Sequence, residues 1–98
     1  MQSIVFEYVL DSQGQPLRRL NSGDIVRHFK GNIYRIIGIA KHSEMKEDMV
    51  VYERLYGIER MMFVRPAKMF MSEVDKAKYP NSDQKYRFER IQIVDMTE

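Results

Sequence analysis

The sequence predicts an all-β, mainly antiparallel domain, folded as a small SH3-like, partly closed barrel. Three observations carry that expectation. Apolar residues recur mostly with period two. Turn-forming residues fall at short intervals between the apolar runs. The one stretch with room for a longer helix, "SEVDKAKY", meets Pro80, which would end it within one turn or two. A curved sheet also suits a short chain, because closing on itself buries one face and reduces exposed edges.

The elements follow in order. Residues 3–10 alternate Ile4, Phe6, Tyr8 and Leu10 on one face, as a strand does, and end at "DSQGQP", which supplies turn chemistry. A short strand through 17–20 returns before "NSGD" breaks the chain. "DIVRHF" is a strand, "KGN" a tight turn and "IYRIIGIA" the returning strand, since Gly31 and Asn32 accept positive φ. The next strand spans 49–56 after the loop "SEMKED", and a turn at "YGIE" leads into "RMMFVR". Pro66 lacks an amide donor, so that strand ends there or runs at an edge. "PAKMF" forms a short helical turn over 66–70. The polar stretch "DKAKYPNSDQ" precedes a last strand, "KYRFERIQIVD".

At 98 residues, the chain has one core to build, so residues 1–98 are expected to form a single domain. A hydrophobic content of 44% with 31% charged residues argues against disorder. The net charge of +2 is no signature of nucleic-acid binding, although it permits a local basic patch. Without cysteine, disulfides and thiolate metal sites are excluded. The first residues lack a basic region and carry Glu7 within their apolar run, unlike a signal peptide or membrane span. The expectation is a cytoplasmic protein with no membrane association.

Three stretches, "HFKGNIYRIIGIAKHSE", "VVYERLYG" and "VRPAKMF", followed by Arg87 and Phe88, stand in an order and spacing that resemble DUF1653, a family of small bacterial domains of unknown function. The resemblance covers about 23–91, with 1–20 as an added N-terminal strand or hairpin. Met45 and Phe63 depart from the Thr and Trp usual in the family. Because the family carries no assigned activity, the chemistry has to come from the residues.

His42, Ser43 and Glu44 stand side by side and invite a catalytic reading: a small hydrolase using His42 with Ser43 or Glu44. Along a strand, however, Ser43 points away from the other two. No Gly-x-Ser-x-Gly elbow is present. A metal site is equally poorly served. With "KGN" as the turn, His28 falls roughly opposite Arg35, and His42 lies over ~20 Å along the strand from there at ~3.4 Å per residue. "FKGN" offers Lys30 and backbone amides but no full phosphate-loop pattern. No catalytic residue, metal ligand or cofactor is assigned.

The leading expectation is a non-enzymatic binding module. In "VVYERLYG", Val50, Tyr52, Arg54 and Tyr56 share one face, and Arg65 falls close by across the "YGIE" turn. Tyrosines beside an arginine can stack on a planar group and hold its phosphate or carboxylate. Tyr52, Tyr56 and Arg65 therefore form the candidate site, with His42 and Glu44 at its rim and His28, Lys30, Arg35 and Ser43 as secondary candidates. The expected ligand is an anionic planar molecule, a nucleotide or nucleic acid. A protein-interaction or homodimerisation domain, using an exposed strand edge, is the further alternative.

Overall fold

The computed structural model describes residues 5–6 and 20–92. Strand β1 (Val5–Phe6) pairs antiparallel with β2 (Leu20–Asn21). The rest of the strands expected over 3–10 and 17–20 lies outside the described residues. Strands β3 (Ile25–His28), β4 (Ile33–Lys41), β5 (Asp48–Arg54), β6 (Met62–Pro66) and β7 (Phe88–Arg90) form one antiparallel sheet in the order β6-β5-β4-β3-β7. Helix α1 (Ala67–Phe70) is the short helical turn expected after Pro66.

The sheet curls without closing. Four steps of ~4.8 Å would put the edge strands of a flat sheet ~19 Å apart. Yet the Arg65 guanidinium of β6 lies 5.5 Å from the ring centroid of Phe88 on β7. No ladder joins β6 to β7, so the structure is an open, strongly coiled sheet and not a closed barrel.

Local chemistry sets each corner. The "NSGD" break is held by Asp24, whose carboxylate accepts the Asn21 amide at 2.8 Å, and Gly23 takes φ 90°. The β3–β4 turn has Gly31 at φ 113°, a conformation that side chains rarely tolerate, between the bonds Gly31 N–H to His28 C=O and His28 N–H to Asn32 C=O. His28 is therefore opposite Asn32, and Arg35 pairs with Ile25. The earlier expectation of His28 facing Arg35 was off by the length of this turn.

Between Ile36 and Gly38 the β4–β5 register shifts, the mark of a bulge. Before it, Ile36 opposes Tyr52; after it, Ile39 opposes Val50. Both isoleucines thereby meet the same face of β5, while Ile37 is left 40% exposed.

Register places Val26, His28, Tyr34, Ile36, Val50, Tyr52, Phe63, Arg65 and Phe88 on the concave face. The core lies there: Val26, Ile36, Val50, Phe70 and Phe88 are fully buried, with α1 laid across the sheet. Phe70 and Phe88 stack with centroids 4.0 Å apart and planes 7° from parallel. Burying each such side chain contributes about 1.5–3 kcal/mol. The convex face keeps Met62 and Val64 in solvent, and it also carries the buried Glu53.

The closing strand starts later than its alternating pattern suggests, and 93–95 of the strand expected over 85–95 lie outside the described residues. Glu73 bridges Tyr86, Arg87 N–H donates to Ser72 C=O, and the Glu89 carboxylate accepts the amides of Lys85 and Tyr86. Those bonds divert 85–87 to the segment after α1, leaving Phe88–Arg90 for the sheet. Buried Gln84 fastens the preceding loop by donating to the carbonyls of Arg27 and Tyr86, both at 3.1 Å.

Candidate functional site

His42 ends up in the β4–β5 hairpin loop, beyond the last residue of β4. Its backbone closes the loop: His42 N–H donates to Glu47 C=O, and Lys46 N–H donates to His42 C=O. Its Nδ1 accepts from the amides of Glu44 at 3.2 Å and Met45 at 3.0 Å. An Nδ1 that accepts twice holds no proton, so the neutral ring carries its hydrogen on Nε2. Ser43 and Glu44 are exposed, and neither side chain bonds to His42. Strand alternation does not govern these residues, because they form a turn organised by the imidazole itself.

The tyrosine-bearing face of β5 is the core face. Tyr52 is only 4% exposed and packs edge-on against Phe70 and Phe88, with centroids 5.2 and 5.4 Å away. It cannot be a contact surface, contrary to its place in the expected site. The reason is topological: β5 lies between β4 and β6, and α1 covers its Val50–Tyr52 side. Arg35 also leaves the group. It projects from the convex face and pairs with Glu53 at 3.3 Å. Tyr56 remains partly exposed at the sheet end, its hydroxyl 3.3 Å from those of Tyr34 and from the Asn32 amide. The guanidinium over its ring is Arg54, at 5.5 Å. Tyr34, half-buried and bonded to Tyr56, has its hydroxyl pushed up to about 12 by that burial and by the bond, so it stays protonated.

What the fold assembles is centred on His28. Its ring lies edge-on to Phe88 at 4.9 Å and beside Phe29 at 4.5 Å. Nδ1 accepts the Lys30 amide at 3.1 Å, which leaves Nε2–H as a donor. Three cations surround it: Arg65, reaching over Phe88 from β6; Arg87, next to Phe88 in sequence; and Lys30, from the turn. Among the described residues, the ion pairs are Arg27–Asp83, Arg35–Glu53 and Lys41–Asp48, so no carboxylate answers Arg65, Arg87 or Lys30. Among the described residues, the Arg87 guanidinium makes a single, 3.4 Å hydrogen bond, to Ser72 Oγ. The site therefore offers an imidazole N–H, two guanidinium groups and an ammonium, without a negative counterpart among the described residues. Three of the expected residues, His28, Lys30 and Arg65, are brought together here. His42 and Glu44 lie at the far end of β4, roughly 27 Å along the strand at ~3.4 Å per residue.

Burial, then Arg65, Arg87 and Lys30 in turn, lower the His28 pKa from 6.5 to about 4. The unfolded chain therefore takes up a proton that the folded one refuses between about pH 6.5 and 4. Stability is full above that window and declines as pH falls through it. His28→Gln should flatten this part of the stability–pH curve, and an NMR titration of the wild type should find the imidazole midpoint near 4. A midpoint near 6.5 would show that the cations do not act on the ring.

These features define a small, open-sheet all-β domain with a cationic cluster on its curled face. The chain belongs to the DUF1653 family, described as a protein of unknown function, whose model matches residues 24–90. No curated protein and no solved structure matches it. Among the described residues, no helix is long and apolar enough to cross a membrane.

Proposed function

We propose that this protein is a small, non-enzymatic binding module that recognises an anionic planar ligand, a nucleotide or nucleic acid. The observation that carries the reading is the set of cations around His28, with no carboxylate among the described residues to neutralise it. Guanidinium groups hold phosphate in two-point fashion, and aromatic neighbours give a planar group a surface to lie on. The recognition surface differs from the tyrosine face first expected. Arg65 stays, His28, Lys30 and Arg87 join it, and Tyr56 stands at the neighbouring end of the sheet. The hydrolase alternative finds no support in the His42 geometry, since its accepting nitrogen is already occupied by two amides.

The test is a low-salt titration with phosphate, nucleotides and a short single strand, followed by backbone NMR. Shifts should centre on His28, Arg65 and Arg87, and bound phosphate should raise the His28 pKa from about 4 towards its ordinary value. Losing one charge-assisted bond costs about 1.5–3 kcal/mol, so Arg65→Gln should weaken binding roughly tenfold or more. Lys30→Gln, on an exposed residue, should weaken binding with the melting temperature unchanged. Lys68→Gln on α1 serves as the control. Absence of any shift at these residues removes the proposal.

One observation favours a second reading, association with a protein partner or a second copy. Edge strand β6 exposes Met62 at 59% and Val64 at 61%, and Ile58 in the preceding turn is fully exposed. Such an edge can accept another strand. Sedimentation as a monomer at all concentrations would remove the homodimer.

A further inference from the structure

Beside the cationic cluster, the β3–β4 turn and residues 78–82 border an open, shallow pocket of about 310 Å³. Its walls are aromatic and basic. Phe29 and Tyr79 meet edge to face, with centroids 4.8 Å apart and planes at 62°. The Lys30 ammonium sits 5.9 Å from the Phe29 centroid and 5.5 Å from that of Tyr79, and Lys78 Nζ is 5.5 Å from the Tyr79 centroid. Among the described residues, no acidic side chain lines the pocket. The nearby Asp75 carboxylate is turned to the amides of Ala77 and Lys78, and Lys76 ties the loop by donating to Ser82 C=O at 2.6 Å. The loop that forms one wall is therefore held by its own hydrogen bonds.

Two features join this pocket to the cluster around His28. Lys30 belongs to both, lining the pocket while acting electrostatically on His28. The rings of His28 and Phe29, consecutive in sequence, are 4.5 Å apart. A ligand with a planar ring at one end and an oxyanion at the other can occupy both places at once.

We infer that the Phe29–Tyr79 pocket receives the base of a nucleoside phosphate whose phosphate group lies at His28, Arg65 and Arg87. The inference rests on the anion-binding reading above and adds the identity of the planar part. Aromatic walls suit any base, because every base has a π-face. The exposed Asn81 at the pocket wall supplies an amide that can both donate to and accept from a base edge. The two ammonium groups, each now resting on a ring, can turn to the phosphate.

The experiment compares inorganic phosphate, ribose 5-phosphate, AMP, thymidine monophosphate and an eight-residue oligothymidylate on wild type, Tyr79→Leu and Lys78→Gln by NMR titration. Wild type should bind AMP roughly 5- to 150-fold more tightly than ribose 5-phosphate, the range expected for stacking one base. The shifts should include Phe29 and Tyr79. Tyr79→Leu should bring AMP to the level of ribose 5-phosphate and leave ribose 5-phosphate unchanged. Lys78→Gln alters an exposed residue, so it keeps the test open if Tyr79→Leu fails to fold; it should weaken AMP several-fold.

Equal binding of AMP and ribose 5-phosphate, with shifts confined to His28, Arg65 and Arg87, would overturn the base pocket and leave the anion site standing. No binding of any of the five ligands would overturn both. Stronger, salt-dependent binding of the oligothymidylate than of thymidine monophosphate would identify a single strand as the source of the nucleoside phosphate. Equal binding of the two would identify the free nucleotide.

Discussion

Phe88→Ala is expected to destabilise the protein by about 3–5 kcal/mol, the usual cost of removing a fully buried aromatic ring. The ring is 0% exposed and lies flat on Phe70, and Tyr34, Tyr52 and His28 present their edges to it at 5.9, 5.4 and 4.9 Å. Residues from β3, β4, β5 and α1 thus meet on one side chain of β7, and relaxation into the vacancy would have to move several elements together. A domain of this size holds about 5–15 kcal/mol in total. The variant should therefore unfold at much lower urea, or be largely unfolded at 37 °C. Phe88→Leu, which keeps most of the volume, should cost under about 1.5 kcal/mol. An alanine variant that costs no more than the leucine one would show that the stack does not organise the core. The ring also supports the Arg65 guanidinium, so a folded Phe88→Leu protein should bind anions less well as its platform narrows.

The second large effect lies on the other side of the sheet. Arg35→Met should cost about 1–3 kcal/mol, because it leaves the Glu53 carboxylate without its ionic partner. Glu53 has a side chain only 9% exposed, against 43% for Arg35, so the burden falls on the acid. Breaking a fully buried pair costs about 3–5 kcal/mol, and the half-exposed arginine keeps this one below that range. The double variant Arg35→Met/Glu53→Leu should recover most of the loss, since neither charge is then stranded. Urea denaturation of the four proteins in this cycle gives the coupling energy. A coupling near zero would mean that solvent, and not Arg35, satisfies Glu53.

Much of the architecture was legible because its signals are local. Period-two runs and Gly31 marked the β3–β4 hairpin, and Pro66 marked the end of β6 and the start of α1. The candidate site was harder to read because its members come from the end of β3 and its turn, from β6 and from the residue before β7, far apart in sequence. Nothing in "VVYERLYG" says which face meets α1, so a buried Tyr52 looked the same as an exposed one. Arg87 and Phe88 were visible as a closing Arg-Phe pair. Their meeting with His28 depends on β7 pairing with β3, which no local pattern encodes. His42 was misleading for a different reason. A His-Ser-Glu run resembles catalytic equipment, but here the imidazole accepts two amides and shapes a turn.

The register shift at Ile37 makes β4 a strand of two phases. Even-numbered residues face the core as far as Ile36, and odd-numbered ones do so from Ile39 onward. Position 37 is thus the extra residue, a beat in β4 to which β5 gives no answer. Exchanging Ile37 for a polar residue alters a partly solvated surface. Deleting it would set Ile39 two places after Ile36, so both would still face the core, in a strand that no longer changes phase. Lineages of this domain should accordingly accept spelling changes at this point, and a missing letter would cost them the local bend rather than the core.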